Sequence, residues 1–274
     1  MDQVLVFRRT VLIVSILFAA VEGPVGAQTA SLQSIHTPRG VDAAYILIKP
    51  EKPIASVMLF AGGHGGLGLR SASSMSWGAG NFLVRSREAF AARGFLVAVI
   101  DAPSDQKGGM NGVFRISKRH AEDIDAIARH LKAEAAAPVW LVGTSMGTFS
   151  AVNGAIRSKA VDGLVLTSTV TRSKPHWKIA GTHPDGVASM TLSRVTVPTL
   201  VLSHRKDDCE ASPAADAPKL MARLTSARKK TAVLLDGGSP PQSAPCEAKS
   251  HHGFLGIEAQ AVSAIADFVK QSGK

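Results

Sequence analysis

Gly143-Thr144-Ser145-Met146-Gly147 directly follows the apolar run Pro138-Val139-Trp140-Leu141-Val142. A serine between two glycines at the end of a buried strand reads as a nucleophile elbow, a sharp strand-to-helix turn that pushes the hydroxyl into a cleft. The glycines remove side chains that would collide with the strand and helix packed beside the turn. The segment 148–156 can continue as a helix, so its first amides, beginning with that of Met146, would face negative charge developing beside Ser145. A serine hydroxyl is a weak nucleophile at neutral pH. It needs a histidine within hydrogen-bond reach and a carboxylate that holds the imidazole in the right tautomer. Chain order offers both: Asp207 or Asp208 after the apolar run 199–202, and His251 or His252 after the last strand-like run and before the last helix-like one.

The elements that must position these groups alternate between strand and helix after residue 40, the pattern of a mostly parallel sheet with helices on both faces. Residues 41–48 read as an edge strand. Residues 57–60 read as a short buried strand emptying into Ala61-Gly62-Gly63-His64-Gly65-Gly66. Further strands are predicted at 95–100, from Pro138 to the elbow, and at 161–166, 199–202 and 231–235. Helices are predicted at 81–93, 117–135, 214–224 and 257–269. Right-handed crossovers would gather the functional loops at the carboxyl ends of the strands.

With the order Ser, Asp, His in hand, the chain resembles the α/β-hydrolase superfamily across nearly all of its length after residue 27, with an esterase- or dienelactone-hydrolase-like character. The resemblance implies an α/β-hydrolase fold and an acyl-enzyme on Ser145. Family spacing, as in Leu-His-Gly-x-x-Asp, aligns with Leu202-Ser203-His204-Arg205-Lys206-Asp207 and favours Asp207 as the acid over Asp208. The family histidine precedes a short turn and an amphipathic last helix, which favours His252, before Gly253-Phe254, over His251. The family's His-Gly-x pattern aligns with Ala61-Gly62-Gly63, so Gly63 is expected to give the second oxyanion amide beside Met146, with His64 as the off-by-one alternative. Ala61 stands where the family commonly has histidine. Residues 168–190 occupy the position of the family's cap. They are too few for a large helical lid, so no large cap domain and an open cleft for small or flexible soluble substrates are expected, with His176 and Trp177 either lining it or packed within their loop.

The first 27 residues read as a signal peptide. Arg8 and Arg9 precede the apolar stretch 11–20, and Val25-Gly26-Ala27 offers a cleavage site. About ten apolar residues are half the number a membrane span needs, so a periplasmic or secreted protein with no stable membrane insertion after cleavage is expected. Residues 28–274 would form one domain. Cys209 and Cys246, an even pair in an exported chain, are expected to form a disulfide, and would then clamp the acid loop to the histidine loop or act as a surface staple.

Other function classes fit less well. The net charge of +10 is scattered and the aromatic content is 5 %, with no nucleic-acid recognition motif, so no nucleic-acid partner is expected. The Gly-rich segment after residue 61 lacks the Lys-Ser/Thr ending of a phosphate loop. His64, His183, His204, His251 and His252 fall in no metal-ligand spacing, so no metal and no cofactor is expected. The expected partner is a small ester or acyl substrate, and nothing in the sequence speaks to oligomeric state. The rival readings are a peptidase or amidase using the same triad, and a non-catalytic envelope binding protein on the same scaffold.

Overall fold

Eight strands pair in the order β1-β2-β4-β3-β5-β6-β7-β8 in the computed structural model, which describes residues 29–273. The proposed signal peptide lies outside the described residues. β1 (Ala30–His36) and β2 (Asp42–Ile48) form an antiparallel pair, and β2 joins antiparallel to β4 (Phe95–Ile100). From β4 onward, β3 (Ala55–Phe60), β5 (Val139–Thr144), β6 (Gly163–Thr167), β7 (Thr199–His204) and β8 (Lys230–Leu235) run parallel.

The continuous apolar strands follow from burial on both faces. Along β3, Met58 and Phe60 enter one core cluster and Val57 and Leu59 the other, as alternation across a sheet requires. The second cluster is closed by α1 (Phe82–Arg85), α2 (Arg87–Ala92) and, from the far end of the chain, the last helix. The first is closed by α4 (Lys118–Ala135), α5 (Gly147–Arg157) and α6 (Ala217–Arg223), with α3 (Gly112–Arg115) packed against α4 and α5. The last helix, α7 (Glu258–Ser272), buries Ala261, Val262, Ile265, Phe268 and Val269. The stripe Ile124, Ile127, Ala128 and Leu131 of α4 is buried as its spacing predicts, and the Ser117 side chain caps that helix by accepting the His120 amide.

Two expectations are corrected. Residues 41–48 are not an edge strand, because β1 pairs outside them; its residues, Ala30-Ser31-Leu32-Gln33-Ser34-Ile35-His36, are mostly exposed and carry no apolar alternation to announce a strand. The helix predicted over 81–93 is two helices broken at Ser86, whose amide turns back to Phe82 O. Between β6 and β7 the described residues hold only two single-turn 3-10 segments, Gly186–Ser189 and Leu192–Arg194, so no large cap covers the strand ends. No helix among the described residues is long and apolar enough to cross a membrane.

Candidate active site

Ser145 sits between β5 and α5 with φ 52°, in the left-handed region that costs an L-residue about 1–2 kcal/mol. The packing explains why the elbow needs both of its glycines. A Cβ on Gly143 would lie 2.6 Å from Gly147 O, and one on Gly147 would overlap the carbonyl of Phe60 on β3. Gly62 packs against Ser145 itself, where a Cβ would come within 2.9 Å of Ser145 Cβ.

His252 lies in a 3-10 turn, His251–Gly253, and is buried. Its Nδ1 is 3.0 Å from Asp207 Oδ2 and 3.3 Å from Oδ1. Asp207 follows β7, buried, and its Oδ1 accepts the Cys209 amide at 3.0 Å. Ser212 closes a triangle that the sequence did not reveal: its Oγ donates to Asp207 Oδ2 at 3.1 Å and stands 2.9 Å from His252 Nδ1. A carboxylate and a hydroxyl that already donates both call for a proton on Nδ1, which leaves the lone pair of a neutral imidazole on Nε2. Nε2 is buried without a hydrogen-bond partner among the described residues. Ser145 and His252 line one cavity of about 400 Å³, together with Gly62, Gly63, Trp77 and Asn81. No hydrogen bond joins Ser145 Oγ to His252 Nε2.

The alternatives separate cleanly. Asp208 is exposed, whereas Asp207 is buried against the imidazole. His251 stacks on His204, with ring centroids 4.5 Å apart, and does not line the cavity. Gly63 lines the cavity wall at φ +56°, and Met146 follows Ser145 directly. The ring of His64 lies against Trp77, tilted by 37° with ring centroids 3.9 Å apart, and its Nδ1 accepts the Gly66 amide; burial first, then the Arg115 cation, holds its pKa below the usual histidine value. Of the two readings of His176 and Trp177, packing away from the cleft is the one found: Trp177 packs against the first core cluster, and His176 borders a separate surface hollow. The aromatic wall is Trp77, from a loop whose serine- and glycine-rich sequence has no periodicity to reveal it.

Cys209 and Cys246 form the disulfide, and Cys246 lines the cavity. Asp207, Cys209 and His252 place possible ligand atoms within 4.8 Å of one another, but the disulfide takes the sulfur and the Asp207 hydrogen bond takes Nδ1, so this cluster does not suit a metal ion. Arg85 knits the wall to the histidine loop, donating to Gly80 O and Gly253 O at 2.6 Å each and pairing with Glu258 at 2.8 Å. The Asp101 carboxylate, at the end of β4, accepts the amides of Leu67, Gly68, Leu69 and Ala102, and so pins the far half of the glycine-rich loop. Neither residue stands in a motif that sequence reasoning could have singled out.

Residues 80–207 match a protein family described as serine aminopeptidase, S33. No curated protein matches the chain. Among solved structures, a cold-adapted esterase from an Arctic intertidal metagenomic library superposes with a TM-score of 0.60 at 16 % identity, over 91 % of this chain and 98 % of that one. A Pyrococcus furiosus esterase gives 0.64 at 13 % identity, over 90 % and 92 %. A puromycin-hydrolyzing peptidase of Mycobacterium tuberculosis gives 0.63 at 14 % identity, over 93 % of this chain and 41 % of that one. With its mostly parallel sheet, its serine elbow after β5 and these likenesses, the chain has the α/β-hydrolase fold.

Proposed function

We propose that the protein is an exported serine hydrolase of carboxylic esters or related acyl compounds, working through an acyl-enzyme on Ser145. One observation carries the reading: His252 commits Nδ1 to Asp207 and leaves Nε2 without a partner at the cavity that Ser145 lines. In the proposed cycle His252 Nε2 takes the proton of Ser145 Oγ as Oγ bonds to the substrate carbonyl carbon. The carbonyl oxygen becomes an oxyanion held by the amides of Gly63 and Met146, with His64 N–H as the alternative donor. The imidazolium, steadied by Asp207, returns the proton to the leaving oxygen, and the alcohol departs. Water then repeats the sequence on the acyl-enzyme, releasing the acid and restoring Ser145. None of these steps calls on a cofactor. A cavity of about 400 Å³ without a large cap supports short or flexible acyl groups.

The amidase or peptidase reading has its own support in the description of the matched family. The residues before 28 and the Cys209–Cys246 bond support a periplasmic or secreted location. A fluorophosphonate probe is expected to label the wild type at Ser145, and Ser145→Ala to lose labelling and all turnover while remaining folded. Paired p-nitrophenyl esters and p-nitroanilides of the same acyl groups then separate esterase from amidase. A folded, unlabelled wild type, or turnover that survives Ser145→Ala, ends the proposal. A biological effect unchanged in Ser145→Ala supports the binding-protein reading instead.

A further inference from the structure

Arg115, the last residue of α3, is fully buried and has no carboxylate at ion-pair distance among the described residues. Its guanidinium donates only to neutral acceptors. Nη2 reaches the carbonyls of Ala61 at 3.3 Å and Gly63 at 3.2 Å, Nη1 reaches Ser150 Oγ at 2.8 Å, and Nε reaches Met110 O at 3.4 Å. Gly65 packs so closely that a Cβ there would overlap Nη2. Burying a cation without a counter-charge is strongly unfavourable, and an apolar side chain of similar volume would fill the same space at less cost. Burial draws the pKa of Arg115 down to about 10, which still leaves it charged at neutral pH. His120, 2.9 Å from Ser150 Oγ, is pushed down to about 3 by burial and then by Arg115, so it stays neutral and the network carries one positive charge.

The placement of that charge points to a purpose. The carbonyls of Ala61 and Gly63 belong to the two peptide units that flank the Gly62–Gly63 peptide. Two successive glycines, the second at φ +56°, have no side chains with which to fix their own conformation. Each peptide unit is planar, so holding both flanking units narrows the rotations left to the Gly62–Gly63 peptide between them. We propose that Arg115 is a positioning residue for the reaction at Ser145: by gripping Ala61 O and Gly63 O from behind the loop, it presents the Gly63 amide to the oxyanion. This inference rests on the serine-hydrolase reading above. Asp101 anchors residues 67–69 and cannot substitute for this grip, because its contacts begin four residues beyond Gly63.

The test compares wild type, Arg115→Lys and Arg115→Met. It uses p-nitrophenyl butyrate turnover, affinity for a trifluoromethyl ketone that binds Ser145 as an oxyanion, and circular dichroism to certify folding. Arg115→Met is expected to lower kcat by on the order of 100-fold, the loss known for one oxyanion donor, with KM little changed and ketone affinity falling with kcat. Arg115→Lys, which keeps the charge but loses the fork, should fall between. If the methionine variant does not fold, the lysine variant carries the test, with an intermediate loss of kcat and of ketone affinity and KM little changed. Folded variants with unchanged kcat and unchanged ketone affinity, or with the loss confined to KM, overturn the role of Arg115. A wild type that neither labels at Ser145 nor turns over ester fails in a different way, taking the hydrolase reading with it.

Discussion

Opening the Cys209–Cys246 bond tests whether the site depends on a covalent restraint. The bond joins residues 37 apart and encloses β8 together with the polar loop that leads to His252. In the loop-entropy model, closing a loop of that length stabilises the folded state by about 4 kcal/mol. For a domain of this size that corresponds to a fall in Tm of roughly 8–16 °C on reduction. The position of the bond adds a second consequence. Cys209 lies two residues after Asp207, its amide donates to the Asp207 carboxylate, and Cys246 lies six residues before His252. Losing the bond lets the two loops separate, and a misplacement of about 1 Å at a catalytic group can cost on the order of 100-fold in rate. The assay measures kcat for a short p-nitrophenyl ester and thermal unfolding by circular dichroism. It compares oxidised protein, dithiothreitol-treated protein and the double variant Cys209→Ala, Cys246→Ala. The expected result is a drop of at least tenfold in kcat well below the new Tm, together with the lower Tm. A lower Tm with kcat unchanged would reduce the bond to a surface staple. An unchanged Tm would refute the restraint argument itself.

Asp207→Asn should lower kcat by about 10⁴-fold, because an amide facing Nδ1 favours the tautomer with Nε2 protonated; Asp208→Asn, at an exposed position, should stay within twofold of wild type, and the reverse pattern in ester kinetics would reassign the acid. Gly147→Ala should yield little soluble protein, since the added methyl meets the β3 backbone, which cannot yield, and costs on the order of 4–5 kcal/mol; wild-type expression and Tm would contradict the packing of the elbow. His120 has a folded pKa pushed down to about 3 by burial. Between that value and the ordinary histidine pKa the unfolded chain therefore binds a proton that the folded chain refuses. Stability should rise with pH across this window by up to about 1.4 kcal/mol per unit from this one group, and be complete above pH 6.5. Urea unfolding of wild type and His120→Gln at pH 4.5 and pH 7 checks it: the variant should show a smaller loss on acidification, and an equal loss would sink the assignment.

The sheet's central strands and the candidate elbow serine were legible in the chain because each rests on local chemistry. Fully buried parallel strands must be short apolar runs, an elbow must carry small residues around its serine, and the order Ser, Asp, His follows the winding of the sheet. β1 was not legible, since half-exposed pairing at an edge asks little of its residues. The choice of Asp207 over Asp208 and of His252 over His251 came from the resemblance, and burial and hydrogen bonds support it. What only the tertiary structure decided are contacts between residues distant in the chain. Ser212 completes the Asp207–His252 triangle across forty residues, Trp77 forms the wall beside Gly63, Arg85 ties α1 to the histidine loop, and Arg115 reaches back more than fifty residues to the glycine loop. The local sequence around such residues obeys no period or motif. Their identity is set by acceptors and cavities that exist only once the chain has folded around them, and for that reason the candidate serine could be picked out by reading whereas the groups packed around it could not.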